Sequence, residues 1–180
     1  MALQDDGWIL RSDIIWHKPN SMPESVGDRP TKAHEYLFLF SKKPSYYYDA
    51  EAIAEDADKG DAGSRFSAGK TAVHMLDRAS VKERVDDGKR NKRTVWTVPT
   101  VPFPGSHFAV YPPELIRPCI LAGSQPGDVV LDPFSGSGTT GQVATFEGRK
   151  YVGIDLNREY LDLSLRTRFQ QPTLPWEVSA

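Results

Sequence analysis

A glycine-rich loop carries most of the chemistry that this sequence can do. It reads DPFSGSGTTG over residues 132–141, with the pattern G-x-G-x-x-G at Gly136, Gly138 and Gly141. An apolar run precedes the loop and a helical pattern follows it, which is the context in which such glycines let a nucleotide-like ligand approach the backbone. Asp155 ends the next apolar run, 19 residues after Gly136, where a carboxylate can accept hydrogen bonds from ribose hydroxyls. The loop therefore predicts a site for an adenosine-bearing cofactor.

Two classes of cofactor compete for this loop. A nicotinamide dinucleotide would place its pyrophosphate on the helix N-terminus, and further strands would follow to complete the sheet. Only 25 residues follow Asp155, too few for another complete strand–helix–strand unit. S-adenosylmethionine has no pyrophosphate and needs close backbone approach, an acid near its methionine amino group and an acid at the ribose. Asp132 and Asp155 supply these two acids, so S-adenosylmethionine is favoured, and Phe134 would either pack against the ligand or lie in the core.

The elements around the loop predict an α/β fold. Residues 125–169 form a strand–helix–strand–helix unit with parallel strands at 129–132 and 150–156, whose nearly continuous apolar runs predict cover on both faces. A kinked helix is expected at 113–122, and a final helix begins after Asn157, a suitable cap. Two earlier strands, at 11–16 and 36–41, are separated by a proline-rich loop and are expected to pair antiparallel.

Composition sets broad limits on the chain. It has 180 residues, enough for about one domain, and a net charge of −2, which argues neither for nor against nucleic acid as a partner. The single cysteine, Cys119, lies in an apolar run and is expected to be a packed thiol in a reducing, cytoplasmic setting. The sequence contains no apolar run of 18 residues, so no membrane span is predicted. No spacing of Cys and His residues predicts a metal site.

Residues 49–95 have the composition of an irregular insertion. An acidic stretch and a stretch rich in glycine and serine precede a basic run, and neither strand nor helix periodicity is sustained. The run VKERVDDGKRNKR contains six basic residues: Lys82, Arg84, Lys89, Arg90, Lys92 and Arg93. Taken alone, such a run is most often a solvated surface.

Several long segments carry a family resemblance. DPFSGSGTTG with YVGIDLNREYLDLSLRTRF resembles the DNA methyltransferases that modify exocyclic amino groups, at adenine N6 or cytosine N4. The segments SDIIWHKPNSMPESVGDRPTKAHEYLFLFSKKPSYYYD and RNKRTVWTVPTVPFPGSHFAVYPPELIRPCILAGS resemble the permuted β group of that family, in which the catalytic half precedes the cofactor half. This order explains why the glycine loop comes so late in the chain.

The resemblance implies a site and partners. It implies a partial Rossmann-like methyltransferase sheet, divided into a strand pair at 1–48, a target-recognition insertion at 49–95 and an S-adenosylmethionine-binding half at 96–180. The insertion would contact double-stranded DNA through the six basic residues, which favours phosphate contact over a merely solvated surface. The expected cofactor contacts are Asp132, Phe134, Gly136, Ser137, Gly138, Thr139, Asp155 and Leu156, with a further contact around residues 107–112 that includes His107 and Phe108.

One part of the family pattern is missing. The catalytic loop of the family is Asp, Asn or Ser followed by Pro-Pro and an aromatic residue, whose polar groups accept the amino hydrogens of a flipped base. The only Pro-Pro here is Pro112–Pro113, which begins a helix, so no catalytic residue is assigned. Without that loop the strand 129–132 should have a bare edge, which predicts a truncated chain that self-associates or is complemented by an N-terminal segment. A non-catalytic remnant that binds DNA or cofactor is the alternative function.

Overall fold

The computed structural model describes residues 2–57, 89–101 and 110–170. In chain order the elements are α1 (Ala2–Asp5), β1 (Ile9–His17), β2 (His34–Ser41), β3 (Glu55–Asp56), β4 (Lys89–Arg90), β5 (Val95–Thr97), α2 (Pro113–Gly123), β6 (Val129–Asp132), α3 (Thr139–Phe146), β7 (Lys150–Gly153) and α4 (Arg158–Thr167). Within these residues the strands form three sheets, ordered β2-β1-β5, β3-β4 and β6-β7. The predicted α/β class is confirmed.

The first sheet contains the predicted antiparallel pair. β1 pairs with β2 along its length, with a bulge between Leu10 and Ser12. β5, a strand that the sequence did not predict, adds to the other edge of β1 in parallel and sets Trp96 opposite Trp16. Both tryptophans are buried, and each indole N–H donates a 2.7 Å hydrogen bond to a backbone carbonyl, so their burial leaves no polar group unsatisfied.

β6 and β7 form the predicted parallel pair, with Leu131 opposite Val152. The helix between them, α3, packs Val143 and Ala144 against this sheet without any exposure. α2 begins at two prolines, as the sequence predicts, and packs against both the β2-β1-β5 sheet and the β6-β7 sheet. Its Leu115 belongs to the cluster of Trp16 and Trp96, whereas its Ile120 belongs to the cluster of α3.

The prediction that β6 and β7 are covered on both faces is wrong for the part of the chain that the structure describes. Val129 and Leu131 are 61% and 58% exposed, and Val152 on β7 is 48% exposed. The alternating residues Val130 and Tyr151 pack against the α2–α3 cluster instead. α2 and α3 lie on the same face of the sheet, so the apolar side chains of the other face remain in solvent.

The insertion is described only at its two ends, which meet as the short β3–β4 ribbon. Val95, at the end of the expected insertion, already belongs to β5. The division into 1–48, 49–95 and 96–180 stays a prediction. Among the described residues, no helix is long and apolar enough to cross a membrane.

Candidate cofactor site

The carboxyl ends of β6 and β7 bring the glycine loop and both predicted acids to one edge of the sheet. After the two strands end, the Ile154 amide donates to the Asp132 carbonyl, and the Ser135 amide donates to the Ile154 carbonyl, both at 2.9 Å. These bonds prolong the pairing into the loop. They therefore hold Asp132 and Asp155 next to the glycines that the sequence singled out.

Two glycines of the loop have backbone angles that favour glycine. Gly136 has φ +50° and Gly138 has φ +80°, both in the left-handed region. A Cβ on Gly138 would lie 2.7 Å from Cβ of Ser164 in α4, so this glycine is also required by packing. A Cβ on Gly136 would project into open space, with the Phe134 carbonyl oxygen at 3.9 Å as its nearest neighbour. Among the described residues, no atom therefore covers the backbone beside Gly136, and a ligand can approach it there.

The third glycine of the pattern serves helix packing. A Cβ on Gly141 would lie 2.4 Å from the Tyr151 ring and 2.5 Å from the Phe169 ring. These two rings stack with their centroids 5.8 Å apart, directly against the first turns of α3. Gly141 thus lets α3 lie close to β7 and to the end of α4, which is the role that its place in the pattern predicts.

Asp155 is fixed by two backbone donors. Its Oδ2 accepts a 2.8 Å hydrogen bond from the Gly136 amide, and its Oδ1 accepts one from the Asn157 amide, also at 2.8 Å. Asn157 in turn caps α4, because its side chain accepts from the Glu159 amide. The Asp155 carboxylate is thereby held between the loop and the start of α4, and each oxygen keeps a further acceptor position for a ligand.

Asp132 is fixed by a different set of donors. Its Oδ1 accepts from the Phe134 amide at 3.0 Å, and its Oδ2 accepts from the Thr140 hydroxyl at 2.6 Å. The Tyr111 hydroxyl lies 2.5 Å from the Thr140 hydroxyl and 3.3 Å from Asp132 Oδ2. The sequence interpretation included Tyr111 only within the range 107–112 and assigned nothing to Thr140. A hydroxyl residue in the first turn after the glycines was the signal available for Thr140.

Tyr111 is a neutral hydroxyl donor. Burial raises its pKa to about 12, and the negative charge of Asp132 acts in the same direction against the opposing effect of the hydrogen bond with Thr140. The pKa of Tyr151, at the other side of the loop, is also raised, mainly by burial. Its hydroxyl lies 2.9 Å from the Ser135 hydroxyl. Two phenols with raised pKa values therefore contact residues of the loop, Tyr111 at Asp132 and Tyr151 at Ser135.

The remaining predicted contacts differ in their accessibility. Phe134 is 87% exposed and Leu156 is fully exposed, so two apolar side chains beside the loop lack cover in the described residues. Ser137 is half-buried and lies 3.5 Å from the Thr139 hydroxyl, whereas Thr139 is only 2% exposed and lies beneath the loop. His107 and Phe108 lie outside the described residues.

The basic residues of the insertion meet acidic partners at its base. Across the β3–β4 ribbon, Lys89 lies 2.5 Å from Asp56, and Arg90 and Arg93 both bond to Glu55, at 3.0 and 2.6 Å. Burial opposes ionisation of Glu55, yet hydrogen bonds from Arg93 and Arg90 hold its pKa below the ordinary value. The Lys92 ammonium lies 5.3 Å from the Trp96 ring centre. Lys82 and Arg84 lie outside the described residues.

The described ranges contain no group of three or more His, Cys, Asp or Glu side chains that could hold a metal ion. The candidate site consists of the glycine loop and its two carboxylates, Asp132 and Asp155.

The sequence matches a known protein family over most of its length. The family model for DNA methylase matches residues 1–166. The chain belongs to the DNA methylase family.

Several curated relatives of this DNA methylase chain are type II methyltransferases. It is 54% identical over 164 residues to the type II methyltransferase M.Cfr9I of Citrobacter freundii, covering 91% of this chain and 46% of the relative. It is 52% identical over 163 residues to M.SmaI of Serratia marcescens, covering 91% and 47%. The chain thus spans about half the length of the curated relatives that it matches.

Solved structures of DNA methyltransferases share its fold. The PvuII DNA methyltransferase, described as cytosine-N4-specific, superposes with a TM-score of 0.67 at 21% identity, covering 98% of this chain and 56% of that one. The M1.HpyAVI–SAM complex superposes with a TM-score of 0.59 at 22% identity, covering 92% and 64%. The Rossmann-like methyltransferase fold predicted for this DNA methylase chain is confirmed.

Proposed function

We propose that this chain is the cofactor-binding part of a DNA methyltransferase that transfers a methyl group from S-adenosylmethionine to adenine N6 or cytosine N4. The observation that carries the proposal is the bare backbone beside Gly136, flanked by two carboxylates whose orientations are fixed. Family membership and the M1.HpyAVI–SAM complex support the choice of cofactor.

The residues present fit this cofactor. The open space beside Gly136 admits a ligand against the backbone, and Asp155 keeps acceptor positions suited to ribose hydroxyls. Asp132 offers a carboxylate for the methionine ammonium group, and the exposed Phe134 offers an apolar surface. When bound, S-adenosylmethionine supplies an electrophilic methyl group on its sulfonium sulfur. The protein residues named here bind and orient; none of them accepts a proton.

The insertion is the proposed DNA contact. Lys82, Arg84, Lys89, Arg90, Lys92 and Arg93 would meet phosphates of double-stranded DNA, a contact that fixes position without reading sequence. The ion pairs of Lys89, Arg90 and Arg93 with Asp56 and Glu55 order the base of the insertion. A phosphate would have to compete with those carboxylates, so these three residues would contribute less to binding than their charge suggests.

The catalytic loop is proposed to come from another segment. The sequence contains no Asp, Asn or Ser followed by Pro-Pro and an aromatic residue. Its only Pro-Pro lies between Tyr111 and Glu114, at the start of α2. Relatives at 52–54% identity are about twice as long as the stretch that this chain matches. A remnant that binds cofactor or DNA without methyl transfer is the second candidate, and the missing loop is the observation that favours it.

Open strand edges and exposed apolar faces support complementation by such a segment. In the described part of the chain, β6 pairs only with β7, and β2 pairs only with β1. The faces turned away from α2 are apolar: Val129, Leu131 and Val152 on one sheet, and the stacked Tyr36 and Phe38 on the other. Exposed edges and faces of this kind favour association. We infer that the segment with the catalytic loop covers both.

A methyl-transfer assay tests the proposal. The purified chain and duplex DNA would be incubated with S-adenosylmethionine carrying a tritiated methyl group, alone and with the portion of M.SmaI that this chain does not match. We expect incorporation into DNA only with the added portion. Incorporation by the chain alone would overturn the statement that the catalytic loop lies elsewhere. A chain that binds cofactor but gains no activity with any added portion would support the remnant.

The size of the particles in solution tests whether the added portion covers the open strand edges. Light scattering should show dimers or larger species for the chain alone and a stoichiometric complex when the added portion is present. A compact monomer with a cooperative melt in the absence of any partner would contradict complementation, even if cofactor binding were intact.

A further inference from the structure

A hydrogen-bonded chain of three side chains links Asp132 to the segment before α2. Thr140, in the first turn of α3, lies 2.6 Å from Asp132 Oδ2, and the hydroxyl of Tyr111 lies 2.5 Å from that of Thr140. Tyr111 also donates a longer hydrogen bond, at 3.3 Å, directly to Asp132 Oδ2. All three side chains are at least partly buried, and they come from three different elements or their flanks.

The direction of the hydrogen bonds follows from the number of protons available. Asp132 accepts, so the single hydroxyl proton of Thr140 is used in the 2.6 Å bond. Two hydroxyl oxygens only 2.5 Å apart need a proton between them, and Tyr111 must supply it. Tyr111 therefore donates its proton mainly to Thr140, with the longer 3.3 Å branch to Asp132, and Thr140 donates to Asp132. Each link polarises the next, which strengthens the chain as a whole.

The chain of hydroxyls fixes one carboxylate oxygen, and the Phe134 amide fixes the other at 3.0 Å. The ring of Tyr111 packs against the cluster of Trp16, Trp96 and Leu115, so its hydroxyl has a rigid support. Thr140 is 7% exposed and is held by the helix. The Asp132 carboxylate is thus oriented from both sides, and its Oδ1 keeps an acceptor position for a ligand.

We propose that Tyr111 and Thr140 are positioning residues that orient Asp132 toward the methionine ammonium group of S-adenosylmethionine. This inference rests on the function proposed above. Neither hydroxyl needs to contact the ligand, because each acts through the carboxylate. The consequence is specific to the amino-acid part of the ligand, since the adenosine part is assigned to Asp155 and the backbone at Gly136.

Two ligands and four variants test this assignment by calorimetry. S-adenosylmethionine carries the ammonium group, whereas methylthioadenosine lacks the amino-acid part and keeps the adenosine. Thr140→Val should weaken binding of S-adenosylmethionine about tenfold, and Tyr111→Phe about threefold, because hydrogen bonds to charged groups are among the stronger ones. The double variant should bind only slightly more weakly than Thr140→Val, because Tyr111 acts mainly through Thr140 and its direct bond to Asp132 is long, at 3.3 Å. Thr140→Ser, which keeps the hydroxyl, should bind within about twofold of the unmodified chain.

Methylthioadenosine supplies the readout that a merely structural role would not give. Its affinity should change by less than about twofold in every variant, because it has no group for Asp132 to hold. Tyr47→Phe is the matched control, since the Tyr47 hydroxyl bonds to Asp49 in the turn after β2. It should bind both ligands like the unmodified chain.

The outcomes distinguish this inference from the proposed function. If the unmodified chain binds neither ligand, the proposed function fails and the inference fails with it. If it binds both, but the variants weaken both equally or weaken neither, the inference is overturned and the proposed function stands. Additive effects of the two substitutions would overturn the relay through Thr140. Because Tyr111→Phe and Thr140→Ser change so little volume, they keep the test decisive even if Thr140→Val unfolds the chain.

Discussion

The Gly136 amide donates a 2.8 Å hydrogen bond to Oδ2 of Asp155, a residue in the segment that follows the next strand, β7. This bond joins the two halves of the candidate cofactor site, because Gly136 provides the bare backbone and Asp155 provides the fixed carboxylate. The other oxygen of Asp155 accepts the Asn157 amide, so the same side chain also sets the start of α4.

Asp155→Asn should therefore weaken both the site and the fold. An amide offers one acceptor oxygen where the carboxylate offers two, so one of the two backbone donors is left without its partner. We expect S-adenosylmethionine affinity to fall at least tenfold and the free energy of unfolding to fall by about 1–2 kcal/mol. Calorimetric titration and urea denaturation measure the two effects.

Asp49→Asn is the matched control for that substitution. Asp49 also accepts two backbone amides, from Glu51 and Ala52, but both go to the same oxygen, which asparagine retains. Its cofactor affinity should stay within about twofold of the unmodified chain. Equal losses of affinity in the Asp49 and Asp155 variants would show that the binding defect is a general effect of instability.

Alanine at three glycines should separate strain, packing and ligand access. Gly127, Gly136 and Gly138 all have positive φ, so alanine at each should cost about 1 kcal/mol of backbone strain. Gly138→Ala adds a 2.7 Å contact with Ser164 and should be the least stable of the three in a thermal melt. Gly136→Ala should melt like Gly127→Ala, since neither Cβ has a neighbour closer than 3.9 Å. Of these two variants, Gly136→Ala should lose cofactor binding and Gly127→Ala should keep it. Cofactor binding retained by Gly136→Ala would show that the ligand does not lie against Gly136.

The DNA contact should depend on salt in proportion to the charges that meet phosphate. Replacing Lys82, Arg84 and Lys92 by alanine should weaken duplex binding and lower the slope of log affinity against log salt by about one unit for each phosphate that is no longer neutralised. Lys43→Ala removes an exposed charge outside the insertion and should leave that slope unchanged. A slope that responds equally to both sets of substitutions would contradict a localised DNA-binding surface.

Raising the pH into the alkaline range should ionise Cys119 first and Tyr111 second, and each ionisation should lower the stability of the fold. Burial raises the pKa of the Cys119 thiol to about 11 and that of Tyr111 to about 12. Both folded-state pKa values lie above the ordinary ones, so the folded state favours the protonated forms. The stability that they provide should be complete below about pH 9 and should decline as the pH rises toward 11–12. Urea denaturation at several pH values measures this decline.

Alkylation reports the Cys119 pKa directly, since the chain has a single cysteine. At pH 8 the folded chain should react with iodoacetamide about a hundredfold more slowly than the urea-unfolded chain, because two pKa units separate the thiolate fractions. Equal rates in the two states would contradict a packed thiol.

The local parts of the site were predictable from the sequence, and the non-local parts were not. Gly136, Gly138 and Asp132 belong to one strand-to-helix turn, so their arrangement follows from the backbone of ten consecutive residues. Asp155 follows from the parallel register of two strands joined by one helix. In contrast, the contact of Tyr111 with Thr140 depends on how α2 is placed against α3, which no local pattern encodes.

Two further differences have the same origin. The aliphatic residues of β6 are compatible with a strand that other elements cover on both faces. Composition does not say whether a covering element is present, and Val129 and Leu131 are exposed. The basic run of the insertion shows its charge but not its partners. Arg90 and Arg93 meet Glu55, more than 30 residues earlier in the chain, through the pairing of β3 with β4.

The most direct test of the central claim is a calorimetric comparison of S-adenosylmethionine with a nicotinamide dinucleotide, on the unmodified chain and on Gly136→Ala. The account predicts binding of one S-adenosylmethionine per chain, no heat with the dinucleotide, and loss of binding in the variant. Preference for the dinucleotide, or S-adenosylmethionine binding that survives alanine at Gly136, would contradict it.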